Sequence, residues 1–342
     1  MLCRIGGSVL AHFDGVDRIR YIAVYASKTS ATLKLMAAIH PKRGTTAAAR
    51  VLRLWFGAGL VLLGAALSVP ARAQDSENLH EQVMTIPLWD GAVPAALVAT
   101  AYKPDGHGPF PLVILSHGSP GSAAERERMG RYRVLSRIRE FVRRGFAVIV
   151  PMRRGYGDTG GPWAERYGSC DAPDFYGAGL EAAADLMAVI RLARTLAHVN
   201  ADRIVLVGQS AGGFASIAAA SRAPEGVIAV VNLSGGRAGD PRTHPGEPCA
   251  PDRMASTIHR FAKTIKVPVL WHYAENDRYF GPAHVRAWFQ AFRDADAPGT
   301  LVMRPPFGAD GHSIFASRSG LPIWTSAVDE FLRSIGMSYS AK

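Results

Sequence analysis

Ile204-Val205-Leu206-Val207-Gly208-Gln209-Ser210-Ala211-Gly212-Gly213 is the stretch on which the reading of this chain turns. The first four residues, mostly β-branched, are a short buried-strand signal. The run stops at Gly208, and small residues suited to a tightly packed helix begin at Ala211. Gly208-Gln209-Ser210-Ala211-Gly212 is therefore a GxSxG pentapeptide at a strand-to-helix turn, the context of a nucleophile elbow. A serine on such a strained turn stands its hydroxyl clear of both elements. Side chains two positions to either side would collide, so Gly208 and Gly212 remove them, and Gly213 lets the helix approach the sheet. The helix N-terminus aims its dipole and free N–H groups at the same place. An ordinary Gly-Ser turn can share the spelling; the strand before and the helix after favour the catalytic reading.

Working outward, short apolar runs alternate with longer helical stretches, which argues for a parallel sheet covered on both faces. Residues 83–87 and 95–102 read as an antiparallel opening pair, with a turn near Asp90-Gly91. Strands are expected at 112–115, 146–150, 204–207, 227–233, 267–273 and 301–304. Helices are expected at 126–144 (ended by Gly145), 177–197, 211–222, 282–293 and 322–335. Residues 153–158 form a Gly-rich loop, and 237–254 an irregular, Pro-rich excursion. The fold class expected is α/β: one domain over 74–342, a mostly parallel sheet of about eight strands, helices on both faces, and short lid loops near 156–176 and 237–254.

A serine hydroxyl needs a base to take its proton and an acid to hold that base. With the nucleophile on such an elbow, the acid and then the base follow it in the chain. Strand 267–273 runs into Ala274-Glu275-Asn276-Asp277-Arg278, where Asp277 is the expected acid and Glu275 the alternative. Strand 301–304 leads to Gly308-Ala309-Asp310-Gly311-His312, which makes His312 the expected base. His272 falls within a strand, His284 faces outward from a helix, and His244 and His259 precede the acid. The developing oxyanion needs two preorganised N–H donors. Ala211, directly after the nucleophile, supplies one; Ser119, in the loop after strand 112–115, supplies the other, with Gly118 as alternative. Tyr156, Trp163 and Tyr167 follow strand 146–150 and are candidates to line a substrate pocket, simple loop packing being the other reading. Arg153 and Arg154 are expected to be solvated, with contact to an anionic substrate group as the alternative.

The formal net charge of +11 suggests nucleic acid or a membrane surface until it is located. Residues 1–73 hold ten Lys or Arg and two acidic residues; the rest carries 29 basic against 26 acidic side chains. The excess thus belongs to a leader, and nucleic-acid binding is rejected. Lys42, Arg43, Arg50 and Arg53 precede the apolar run Leu54–Val69, and Ala71-Arg72-Ala73 matches a signal-peptidase site before Gln74. At 16 residues the run is short for a membrane span, which takes roughly 20. Residues 36–73 are therefore expected to be a cleaved signal peptide. Residues 1–35 have no place in one, and Met36 is a candidate true start. Export to a periplasmic or extracellular space fits the cysteines: Cys3 lies in the leader, leaving Cys170 and Cys249 as an expected disulfide. No His/Cys spacing suggests a metal, and the chemistry calls for no cofactor.

LVILSHG, RRGYGDTGG, LVGQSAGG, AENDRYF and GADGHS together resemble the α/β-hydrolase superfamily over nearly all of residues 83–336. The resemblance is to dienelactone-hydrolase-like esterases and to the hydrolase domains of prolyl-oligopeptidase-type peptidases. True dienelactone hydrolases use a Cys nucleophile, whereas position 210 is Ser, so dienelactone is not the expected substrate. Peptidases of the second kind usually carry a propeller ahead of the hydrolase domain, and the ten residues from Gln74 to Val83 leave no room for one. The expectation is an exported serine hydrolase of small-molecule carboxylic esters, not inserted in a membrane after processing. The alternative is a small aminopeptidase or amidase; the presence of Ser210, Asp277 and His312 argues against a non-catalytic binding protein.

Overall fold

The computed structural model of the protein describes residues 78–88 and 95–337. The leader with Cys3, the expected cleavage point and the turn near Asp90-Gly91 lie outside the described residues. Strands β1 (Gln82–Leu88), β2 (Ala95–Tyr102), β3 (Phe110–Ser116), β4 (Ala147–Pro151), β5 (Val199–Gln209), β6 (Val227–Leu233), β7 (Val269–Ala274) and β8 (Gly299–Arg304) form one open sheet. Their order across it is β1-β2-β4-β3-β5-β6-β7-β8. The β1–β2 and β2–β4 pairs are antiparallel, and every pairing from β4 through β8 is parallel. The mostly parallel, eight-stranded sheet read from the sequence is present.

Helices α1 (Ala123–Glu127), α2 (Leu135–Arg143), α3 (Phe175–Ala193), α4 (Ala211–Ala220), α5 (Pro251–Ala262), α6 (Pro282–Arg293) and α7 (Leu321–Ser334) connect the strands. The central strands show why both faces must be covered. Leu112, Ile114, Ile204 and Leu206 pack with residues of α3, α4, α5 and α6, whereas Val113, Leu115, Val205 and Val207 pack with α2 and α7. Successive side chains alternate between two apolar layers, so these strands read as continuous hydrophobic runs. Each fully buried aliphatic side chain such as Leu206 contributes roughly 1.5–3 kcal/mol relative to exposure.

Three of the departures from the sequence reading have an identifiable local cause. The single helix expected over 126–144 is two: α1 carries a capping box of Ser122 and Glu125, and the chain then turns at Gly130, whose φ is 60°. The excursion over 237–254 ends early, because Pro251 starts α5, where a missing N–H costs nothing. Strand β5 begins at Val199, five residues before its apolar run, since backbone pairing of Val199 with Phe110 carries the polar segment into the ladder. The end of α2 is as read: Gly145, at φ 82°, donates to Val142 O at 2.9 Å while Phe146 donates to Phe141 O at 3.1 Å. That Schellman pattern needs a left-handed residue, hence glycine.

Cys170, in the β4–α3 segment, is bonded to Cys249, in the β6–α5 segment, with a Cα–Cα distance of 5.4 Å. The bridge spans 79 positions and joins two irregular segments that leave the same edge of the sheet. Closing so long a loop restricts the unfolded chain, worth roughly 2–4 kcal/mol. Replacing both cysteines by serine should lower the melting temperature by roughly 5–15 °C; calorimetry of the double variant checks this, and an unchanged melting point would show the segments to be held by packing alone.

Candidate active site

Ser210 joins β5 to α4 with φ 56° and ψ −124°. A non-glycine residue held there costs about 1–3 kcal/mol and persists only where its surroundings over-determine it. Here they do. Its N–H donates to Leu233 O at 3.0 Å, and its carbonyl accepts from Gly213, Phe214 and Gly236 at 2.9, 3.2 and 3.2 Å. The glycines around it answer to contact: a Cβ on Gly208 would strike the Gly212 carbonyl, one on Gly212 the Ser116 carbonyl, and one on Gly213 the Asn232 side chain.

The loops after β7 and β8 bring Asp277 and His312 together. His312 Nδ1 lies 2.9 and 3.1 Å from the two Asp277 carboxylate oxygens, and both residues are buried. Asp277 Oδ1 also accepts the N–H groups of Tyr279 (2.8 Å) and Phe280 (3.0 Å). With Nδ1 facing the carboxylate as donor, Nε2 is left as the acceptor. Glu275 is exposed, and its N–H serves the ladder through Arg304 O at 3.0 Å. Asp310 had no assigned role, yet its Oδ1 accepts from both Arg278 N and His312 N at 3.0 Å, clipping the two loops to each other. Three of the other histidines are engaged elsewhere, His284 with Glu247 at 2.6 Å, His259 with Ala291 O at 3.0 Å and His244 with Thr243 at 2.9 Å, and His272 is buried within β7.

A cavity of about 190 Å³ opens on Ser210. Ser119 and Ala211 lie on its wall beside Ser210, as do Trp163 and Tyr167 from the first lid segment. Tyr279 and Phe280 line it too, and both rings contact the His312 imidazole, with centroids 4.1 and 5.5 Å away. They connect His312 to the chamber. Tyr156 is fully buried behind this wall: its hydroxyl accepts from Trp163 Nε1 at 2.9 Å, donates to Glu165 at 3.0 Å and lies 3.1 Å from Ser119 Oγ. A larger hollow of about 380 Å³ lies between Leu88, Leu180, Met187 and Arg222, and no part of Ser210, Asp277 or His312 lines it.

A family model described as the α/β hydrolase fold matches residues 111–258. The strand order, the elbow after β5 and the helices on both faces agree with it. The chain has the α/β-hydrolase fold. Solved structures similar to this chain include the acylaminoacyl peptidase of Pyrococcus horikoshii, at 17% identity and a TM-score of 0.54. There the match covers 74% of this chain but only 41% of the peptidase. Dipeptidyl peptidase 4 of Porphyromonas gingivalis matches at 18% identity and a TM-score of 0.54, over 74% of this chain and 35% of the peptidase. An acetyl xylan esterase from a Paenibacillus species matches at 17% identity and a TM-score of 0.50, covering 75% of this chain and 89% of the esterase. The match thus takes in well under half the length of the two peptidases and most of that of the esterase. No curated protein matches the sequence.

Behind the chamber the fold buries an ion cluster, and it corrects the reading of Arg153 and Arg154 as solvated. Arg153 is fully buried, paired with Glu165, and donates to Ser116 Oγ and His117 O at 2.8 Å each. Arg154 binds Asp185 through Nε at 2.6 Å and Glu181 at 2.9 Å. Glu165, also fully buried, pairs in addition with Arg237. Burial alone would raise the Glu165 carboxyl, but the two guanidinium groups outweigh it and hold it at about 2. Sequence reasoning missed Glu165 and Arg237 because nothing in their spacing marks them as partners.

His117 belongs to the same cluster. Its Nε2 accepts from Arg153 N at 3.2 Å, so Nδ1 carries the proton and donates to Gly118 O at 2.7 Å. Burial, reinforced by Arg153, pushes it down to about 3; burial, with Arg304 nearby, pushes His272 down to about 4. Both stay neutral in the fold while an unfolded chain protonates them near 6.5, so stability is lost as pH falls below that value. Asp185, raised to about 6 by burial, acts in the opposite sense between about 4 and 6, but with one proton against two. Urea midpoints should therefore fall steadily from pH 6.5 to pH 4.5. A flat profile would mean that these histidines are protonated in the folded protein.

Proposed function

We propose that the protein is an exported serine hydrolase that cleaves carboxylic esters through an acyl-enzyme. The observation that carries this reading is Ser210, strained at the wall of a chamber, with the His312–Asp277 pair reaching that chamber through Tyr279 and Phe280. His312 Nε2 takes the Ser210 proton as Oγ attacks the ester carbonyl, and Asp277 holds the imidazole and steadies its positive charge. Backbone N–H groups of Ala211 and Ser119 receive the oxyanion. His312 then protonates the departing alcohol, and a water, deprotonated by His312, releases the acid. His117 supports the Ser119 assignment: by fixing the Gly118 carbonyl toward itself it turns the Ser119 N–H of that trans peptide the other way. An aminopeptidase would need an acceptor for a substrate ammonium group. Among the described residues no carboxylate lines the chamber, which favours esters.

Substitution separates these roles. Ser210→Ala and His312→Ala should each abolish turnover of 4-nitrophenyl esters, because members of such a unit fail together. Asp277→Asn should lower kcat by roughly 10⁴, whereas Glu275→Gln should be mild. A fluorophosphonate probe should label Ser210 alone. Labelling at another residue, or full activity in Ser210→Ala, would refute the mechanism; binding without turnover in the wild type would favour a non-catalytic role.

Export is part of the same reading. The Cys170–Cys249 bond fits an oxidising compartment, and among the described residues no helix is long and apolar enough to cross a membrane. Residues 74–342 form the mature enzyme, starting at Gln74 after signal cleavage. N-terminal sequencing of exported protein checks the start; a retained Leu54–Val69 segment would contradict it.

A further inference from the structure

Asn232 on β6 and Tyr273 on β7 are fully buried polar side chains to which the ester mechanism gives no task. Asn232 Nδ2 donates to the Tyr273 hydroxyl at 3.0 Å, while Asn232 Oδ1 has no hydrogen-bond partner. An unpaired buried amide oxygen costs stability, and two apolar residues of the same shape would avoid that cost. What the pair supplies in return is one donor. Burial pushes the Tyr273 phenol up, so the hydroxyl keeps its proton and donates it to Gly235 O at 2.6 Å.

Gly235 O and Gly236 N belong to one trans peptide, whose carbonyl and N–H point opposite ways. Tyr273 holds the carbonyl end; the N–H end donates to Ser210 O at 3.2 Å. That bond comes from outside α4, whereas the other two to Ser210 O come from Gly213 and Phe214 within it. Ser210 N in turn donates to Leu233 O at 3.0 Å, so the turn from Leu233 to Gly236 grips the strained residue at both ends. Two consecutive residues of β7 fix this turn. Ser234 N donates to His272 O at 2.9 Å, a backbone bond that any residue at 272 can accept. The Gly235 bond instead needs a hydroxyl at position 273. Neither glycine can carry a Cβ, which would strike Asn232 from Gly235 and the Phe280 ring from Gly236. Without side chains their shared peptide is free to rotate, and its orientation depends on an outside partner.

We propose that Tyr273 is a positioning residue for Ser210, acting through the Gly235–Gly236 peptide, with Asn232 orienting its hydroxyl. This rests on the serine-hydrolase reading and adds two residues to it. Tyr273 moves no proton in the reaction; it sets where Ser210 Oγ stands as the ester carbonyl arrives, and attack weakens steeply with small displacements.

Tyr273→Phe removes the hydroxyl and nothing else. The maximal rate of fluorophosphonate labelling at Ser210, and kcat on 4-nitrophenyl acetate, should each fall about tenfold or more. The half-saturating probe concentration should stay within about twofold, because binding is untouched. Adding Asn232→Leu makes the pair apolar, which should recover melting temperature lost in Tyr273→Phe while labelling stays slow. Val328→Ala, in α7 on the opposite face of the sheet, should lower the melting temperature yet leave the labelling rate within about twofold. The double variant carries the test if Tyr273→Phe does not fold. A wild-type labelling rate in either Tyr273 variant, or an equal loss in Val328→Ala, would overturn the proposal and leave the hydrolase reading standing. A wild type that the probe does not label would overturn that reading and the proposal with it.

Discussion

The close approach of α4 to the sheet is the constraint on which everything else in this molecule hangs. Ser210 can occupy its left-handed conformation only because Gly208, Gly212 and Gly213 let the helix start within contact of β3, β5 and β6. The strain is confined to one residue and balanced by hydrogen bonds from both sides of the turn. Relax that approach by one methyl group and the serine would swing back toward an ordinary backbone, out of the chamber wall. Strand order follows the same demand. With β5 central, the loops after β3, β4, β6, β7 and β8 all open at the edge where Ser210 stands.

Much of this architecture could be read from the chain, for identifiable reasons. Strands buried on both faces appear as unbroken apolar runs, and in a parallel sheet each run ends beside the site, so position along the sequence becomes position in space. Asp277 and His312 were singled out by that logic. The choice between Asp277 and Glu275 was harder, since both are loop carboxylates two positions apart; what separates them is that the chain buries one against His312 and exposes the other. The long helix expected over 126–144 failed because apolar spacing continues past Gly130 even though the backbone does not.

Charges were the least legible feature. Arg153 looked solvated because its carboxylate lies twelve residues away across a turn, with no periodicity to announce it. Arg237 sits in an irregular segment whose fold depends on contacts with other loops. Long-range ion pairs have no local signature, so a sequence reading assigns such residues to water by default. Once buried, the same groups reverse their meaning: Arg153 braces β4 against β3 beneath the loop that carries Ser119, while Arg237 ties its own irregular segment to Glu165 in the other.

The Cys170–Cys249 bond has a thermodynamic corollary for recognition. Many hydrolytic sites close over their substrates with a mobile cover, and each capture must then spend free energy on ordering it. Here the two segments that supply Trp163, Tyr167 and Arg237 are tied covalently. Their ordering cost is met once, when the chain folds and oxidises, and is not charged again to each encounter. On the proposed reading, such an aperture selects as a sieve does, by the shape of what can pass, rather than by rewarding the substrate that best provokes closure.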